Sequence, residues 1–164
     1  SSAASDVYKR QMFIDEYRQL RIPGAAEVAA RCVLFEQFMF ELLQRKPNAV
    51  PFKKGELKIG IHGHCHAKAL TDASIMPRLA EKIPGAKARL LDTGCCGMAG
   101  AFGMLKSKQE LSRKVAQNLL DKINAMEPDA TLVASGTSCR HQINHFTDRH
   151  PLHMAEVLAQ AIPT

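Results

Sequence analysis

The chain has 164 residues, enough for one ordinary domain and too few for two comfortable ones. Its 46% apolar content suits a globular core, and no apolar run approaches the roughly 18 residues of a membrane-spanning helix, so the chain is not expected to cross a membrane. The 22 basic and 16 acidic residues give a formal charge of +6, but the basic ones are scattered rather than gathered with aromatics, which argues against a nucleic-acid partner and leaves a solvated surface able to face an acidic one.

The opening "SSAASDVYKRQ" lacks the apolar core of a signal peptide and reads as a non-native leader over residues 1–11, with one domain over 12–164. With no export signal in view, the expected location is the cytoplasm, free or peripheral at the inner face of the membrane. From Met12 to Gln44 the apolar residues recur at steps of three and four, among them Val28, Cys32, Phe35, Phe38, Met39 and Leu42. "IPG" interrupts at Ile22 to Gly24, so the pattern predicts a short helix, a turn and a longer amphipathic helix. On that helix Cys32 falls beside Val28 and Phe35 and is expected in the core. The Pro-punctuated stretch Lys46 to Glu56 is a connection.

A unit of strand, cysteine-bearing loop and helix then occurs three times. "LKIGIHG" (Leu57 to Gly63) runs into "HCH" and a helix over about 71–82; "AKARLLDTG" (Ala86 to Gly94) runs into "CCG" and a helix over about 105–126; "ATLVASG" (Ala130 to Gly136) runs into "TSC" and a helix through His145. Strands alternating with helices predict an α/β fold, a parallel sheet with helices on both faces. The loops at the C-terminal ends of such strands share one edge. Cys65, Cys95, Cys96 and Cys139 would then meet in one crevice, although long stretches of chain separate them. In "HPLHMAEVLAQAI", Pro151 is expected at the first position of a closing helix.

Five cysteines, two of them adjacent, do not suit an extracellular disulfide framework and point to a reducing compartment with metal or redox use of thiols. Buried cysteines do serve as small hydrophobes. These four, however, follow Gly, His, Cys or Ser in loops. A disulfide between neighbours strains its ring, whereas two adjacent thiolates can reach different atoms of a polynuclear centre. Gly94, Gly97, Gly100 and Gly103 allow close backbone approach and leave amides free to donate to sulfur, and helix N-termini after each loop favour negative charge there. His62, His64 and His66 alternate and would share one side of a continuing strand; His64 and His66 are candidates for contact with a metal or with its ligands. Zinc accepts such a Cys/His mixture, but no C-x2-C or H-x3-5-H zinc spacing with paired cysteines is present. A third reading makes Cys65 a nucleophile with His64 or His66 as its base. His141, His145, His150 and His153 read as surface or capping residues.

With "HGHCHAKAL", "DTGCCGMAGAFG", "GTSCRHQI" and "HPLHMAEVL" in this order, the chain resembles the cysteine-rich CCG domain over roughly Met12 to Ile162. It looks most like the copy at the C-terminal end of FAD-linked 2-hydroxy-acid oxidases with a fused iron-sulfur region. Related modules occur in the iron-sulfur subunit of glycolate oxidase and in the cysteine-rich subunit of heterodisulfide reductase. The resemblance implies an electron carrier between a flavin that oxidises a hydroxy acid and a further acceptor, without turnover of its own. It makes Cys65, Cys95, Cys96 and Cys139 candidate ligands of an iron-sulfur cluster, of the 4Fe-4S type. FAD and ferredoxin-like clusters would belong to upstream domains or subunits, the expected partners. Two departures stand out. The heterodisulfide reductase version ends in C-x2-C, whereas here Cys139 is followed three positions later by Gln142. Oxidase-type relatives carry a cysteine just before the segment matching "DEYRQL", a place taken here by the leader.

Overall fold

The structure, a computed structural model, describes residues 12–163, so the expected leader lies outside the described residues. Strand β1 (Leu57–His62) sends Ile59 and Ile61 to one side and Gly60 and His62 to the other. It forms the centre of a three-stranded sheet in the order β2-β1-β3, with β2 (Ala86–Leu90) and β3 (Thr131–Ala134) both parallel to it. The register pairs Ile61 with Leu90 and Val133, and His62 with Ala134. Both outer edges carry a blunting contact: Leu152 bridges to Val133 beyond β3, and the Glu81 carboxylate accepts the Ala88 N–H of β2 at 3.3 Å.

The helices are α1 (Ala25–Arg31), α2 (Phe35–Arg45), α3 (Cys65–Leu70), α4 (Ile75–Ala80), α5 (Gln109–Asn124), α6 (Thr137–Phe146) and α7 (Met154–Gln160). A short helical turn over 12–19 precedes them. On one side of the sheet Phe40 and Leu43 of α2, Met76 and Leu79 of α4 and Val157 of α7 share a core with Ile59, Ile61 and Val133. On the other, Leu119 and Ile123 of α5 and Ile143 of α6 share one with Leu91, Leu132 and Ala134. This is the expected α/β fold, a parallel sheet with helices on both faces. No helix among the described residues is long and apolar enough to cross a membrane.

Five local expectations are corrected. The long N-terminal helix is two helices, because the chain leaves α1 at Cys32 (φ −87°, ψ 115°) and Leu34 takes the N-cap of α2. The Leu34 N–H is accepted by Gln37 three residues on, at 3.1 Å, which fixes that start. Cys32 is therefore a half-buried residue between helices rather than part of a helix core; Leu34 is the buried one at 2% exposure, and Val28 and Phe38 face outward. The helix expected over 71–82 is shorter, since Asp72 accepts the Ser74 N–H in a turn that delays α4 to Ile75. The helix expected from about 105 opens as two 3-10 turns, Phe102–Met104 and Lys106–Lys108, before α5. Pro151 precedes α7 instead of opening it; His153 is the N-cap, its Nδ1 accepting the Ala155 N–H at 3.1 Å while Glu156 accepts the His153 N–H at 2.6 Å.

Candidate metal centre

Strand order places the site. The chain leaves β1 for β2 on one side while β3 lies on the other, so the segments after β1 and β3 diverge and open a crevice at the C-terminal edge of the sheet. Cys65 is the first residue of α3, and His64 is its N-cap, with Nδ1 accepting the His66 N–H at 3.2 Å. Cys139 is the third residue of α6. Of the four site cysteines, Cys95 and Cys96 alone lie in a loop, after β2. His64, Cys65, His66, Cys95, Cys96 and Ser138 line one cavity of about 250 Å³. Cys139, 1% exposed, joins it through a hydrogen bond to the Cys96 sulfur. The four cysteines expected to meet are thus brought together, and Cys32 is not among the residues lining the cavity.

The histidines divide differently from the expectation. Strand geometry stops at His62, so the alternation does not continue. His64 and His66 stand edge to face at 5.0 Å on the cavity wall. The His62 ring instead lies buried on the side of the sheet shared with Leu91 and Ala134, its Nδ1 2.7 Å from Thr93 Oγ1. Gly136 permits the contact between the first and third segments: a Cβ there would lie 2.4 Å from His64 Cδ2 and 3.3 Å from Cys139 Sγ. His141 and His145 are exposed, and His150 lies near Asn144, as surface residues.

Several groups that hold the site have no motif to announce them. Lys68, one turn beyond Cys65 on α3, donates from Nζ to the Thr93 carbonyl at 2.5 Å and so ties the first cysteine segment to the second. Its i, i+3 spacing from Cys65 was the available signal. Asn118 of α5 accepts the Gly94 N–H at 3.3 Å, so that amide does not serve a thiolate. The Gly97 N–H does, donating to Cys95 Sγ at 3.3 Å. Lys68→Met is expected to cost about 1.5–3 kcal/mol, the range for a charged hydrogen bond. In hydrogen–deuterium exchange it should deprotect the amides around residues 94–97 while leaving those of β1 unchanged; equal loss in β1 would assign Lys68 to general stability.

The electrostatics separate the thiols. The Cys139 S–H, the Met98 N–H and its own N–H all serve the Cys96 sulfur and hold it toward thiolate against its burial. Cys139 is kept protonated by that bond and by burial. Burial, and then the Cys95 sulfur, push the Cys65 thiol up. His64 is held neutral down to about 4, first by burial and then by His66 and Lys68. A Cys65 nucleophile with His64 as base therefore has a deactivated thiol and an imidazole whose Nδ1 is committed to backbone.

Among the described residues no group of three or more His, Cys, Asp and Glu side chains stands ready-arranged around a metal ion. The thiols instead hydrogen-bond to one another. The donor set is nonetheless chemically coherent. Four sulfurs from three chain segments converge, with backbone N–H groups aimed at three of them, Cys65, Cys95 and Cys96, and sulfur ligands of this kind suit iron-sulfur clusters and other thiophilic metals.

Comparison with known proteins gives the family. The profile of the CCG family, described as a cysteine-rich domain, matches residues 59–144, just over half of the chain. The chain is 30% identical over 149 residues to the D-2-hydroxyglutarate dehydrogenase of Pseudomonas putida, an overlap covering 88% of this chain and 14% of that protein. It is also 30% identical over 113 residues to one subunit of the anaerobic glycerol-3-phosphate dehydrogenase of Escherichia coli, covering 69% of this chain and 28% of that one. The chain spans less than a third of the length of either relative. No solved structure matches it significantly. The matched segment carries Cys65, Cys95, Cys96 and Cys139 together, and the chain belongs to the CCG family of cysteine-rich domains.

Proposed function

We propose that this chain is the electron-transfer module of a flavin-linked dehydrogenase acting on a 2-hydroxy acid, with Cys65, Cys95, Cys96 and Cys139 as ligands of an iron-sulfur cluster of the 4Fe-4S type. The observation that carries the reading is the convergence of four thiols from three segments on one cavity at the sheet edge. The relatives are dehydrogenases, and the longer overlap is with one named for a 2-hydroxy acid. FAD, the substrate pocket and ferredoxin-like clusters would lie in upstream domains or subunits, which are the module's partners.

A cluster bound there supplies one-electron uptake and release. The chain's own residues provide its surroundings. Cys96 and Cys139 are buried and exclude water, while Cys65 and Cys95 are half-buried on the open side, where a partner could approach. The Gly97 and Met98 N–H groups offset negative charge on sulfur. His64, neutral with its Nδ1 accepting from backbone, keeps its proton on Nε2 as a donor on the cavity wall.

Anaerobic reconstitution with iron and sulfide is the test. A brown, oxygen-sensitive species with matching iron and acid-labile sulfide is expected, and Cys95→Ser or Cys96→Ser should lower its yield far more than Cys32→Ser. Uptake of zinc without sulfide would favour a structural or docking module instead. Equal loss from substitution of all five cysteines would mean misfolding rather than ligand removal.

A further inference from the structure

Gln142 stands one turn beyond Cys139 on α6, is 1% exposed, and donates from Nε2 to Ser112 Oγ at 2.5 Å. Ser112, fully buried on α5, in turn donates its hydroxyl to the Gly97 carbonyl at 2.8 Å. A serine has one hydroxyl proton, and since it goes to Gly97, the oxygen must accept from the Gln142 amide; the direction of the chain is fixed. The Gly97 carbonyl belongs to the same peptide group as the Met98 N–H, and that N–H donates to the Cys96 sulfur. Gln142, Ser112 and one peptide unit therefore form a continuous relay ending on a site sulfur.

We propose that Ser112 and Gln142 tune the Cys96 sulfur through the Gly97–Met98 peptide group, acting as positioning residues for the cluster site. The inference rests on the iron-sulfur reading given above. A donor on the carbonyl of a peptide polarises its N–H, and serial hydrogen bonds strengthen one another in a buried setting. The Met98 N–H is thereby a better donor to sulfur, and hydrogen bonds to sulfur are among the terms that set a cluster's potential. Simple packing does not explain Gln142. Its Oε1 is buried without a partner, a desolvation cost that an apolar side chain of similar volume would not carry. What the amide supplies is a donor for Ser112.

The test is a graded series, Ser112→Ala, Ser112→Cys and Gln142→Met, in the full chain. After anaerobic loading with iron and sulfide, the midpoint potential should move negative in Ser112→Ala, because less hydrogen bonding leaves more charge on sulfur and disfavours the reduced state. Ser112→Cys, with its weaker donor, and Gln142→Met should move it the same way by less. In the metal-free chain the Met98 amide, followed by NMR, should exchange about tenfold faster in Ser112→Ala, as expected for loss of roughly one net hydrogen bond's support. If the variants melt lower but leave the potential and the Met98 amide unchanged, the relay is structural only and the inference is overturned. Where Ser112→Ala fails to fold, the milder pair decides by the same two readouts. A native chain that takes up no iron and sulfide would refute the functional reading while the Met98 amide still tests the relay.

Discussion

Gly97→Ala is expected to lower the thermal midpoint by about 10 °C or more and to abolish iron uptake, while Gly94→Ala leaves both nearly unchanged. Gly97 has φ +83°, where an L-residue pays about 1–2 kcal/mol for crowding its own carbonyl. Space is the larger problem. An added Cβ would lie 2.2 Å from the Ser112 carbonyl oxygen and 3.0 Å from its carbon, backbone atoms of α5 that cannot rotate aside. The loop would have to move, and it carries the vicinal pair, the N–H bonded to Cys95 and the carbonyl bonded to Ser112. A total of several kcal/mol follows, each worth about 2–4 °C in a domain of this size. Gly94 has no atom within 4 Å of its added Cβ and is not in the left-handed region. Calorimetry and iron analysis of the two variants check the contrast. If Gly97→Ala melts with the native chain and loads normally, the loop's backbone geometry is not what presents Cys95 and Cys96.

Residues whose roles depend on their immediate neighbours were legible in the sequence. The strand "LKIGIH" alternates correctly, each of the four site cysteines follows a strand within a few residues, and a parallel sheet then forces the strand ends to one edge. The convergence of Cys65, Cys95, Cys96 and Cys139 follows from topology alone, without any knowledge of side-chain packing. Boundaries were harder. Whether the pleat continues past His62 is decided by His64 capping α3, and periodicity over "HGHCH" cannot distinguish a strand from a helix start. Likewise the stripe from Val28 to Leu42 fits one helix; the break depends on Gln37 reaching back to Leu34. The least legible residues are those whose partners are distant in sequence. Ser112 looks like an ordinary polar residue on an amphipathic helix, and only the packing of α5 against the CCG loop gives it Gly97 and Gln142. Glu36, 2% exposed, reads as a solvated helix residue until the fold brings Ser135 to donate to it.

His62 makes the fold acid-sensitive, and stability is expected to fall as the pH drops below about 6.5, the reference value for an unfolded histidine. In the folded chain its pKa is lowered to about 3, chiefly by burial and then by the charges of Lys68 and His64. Between these limits the unfolded chain binds a proton that the folded chain refuses, so the folded state loses about 1.4 kcal/mol per pH unit at the limiting slope. Above pH 6.5 both states are neutral at this position and the term vanishes. His64, lowered to about 4, adds a second proton over a narrower window. Urea midpoints at pH 7.5, 6.5, 5.5 and 5.0, with chelator present so that metal binding does not enter the linkage, measure the slope before most carboxylates titrate. His62→Gln is the informative variant, because an amide can hold the hydrogen bond to Thr93 yet does not ionise. It should be less stable than the native chain at pH 7.5, where the imidazole packs better. Below pH 6.5 the two curves should converge, by close to one proton's slope. Parallel curves down to pH 5.0 would show that the imidazole is protonated in the fold and that the buried ring is not held neutral.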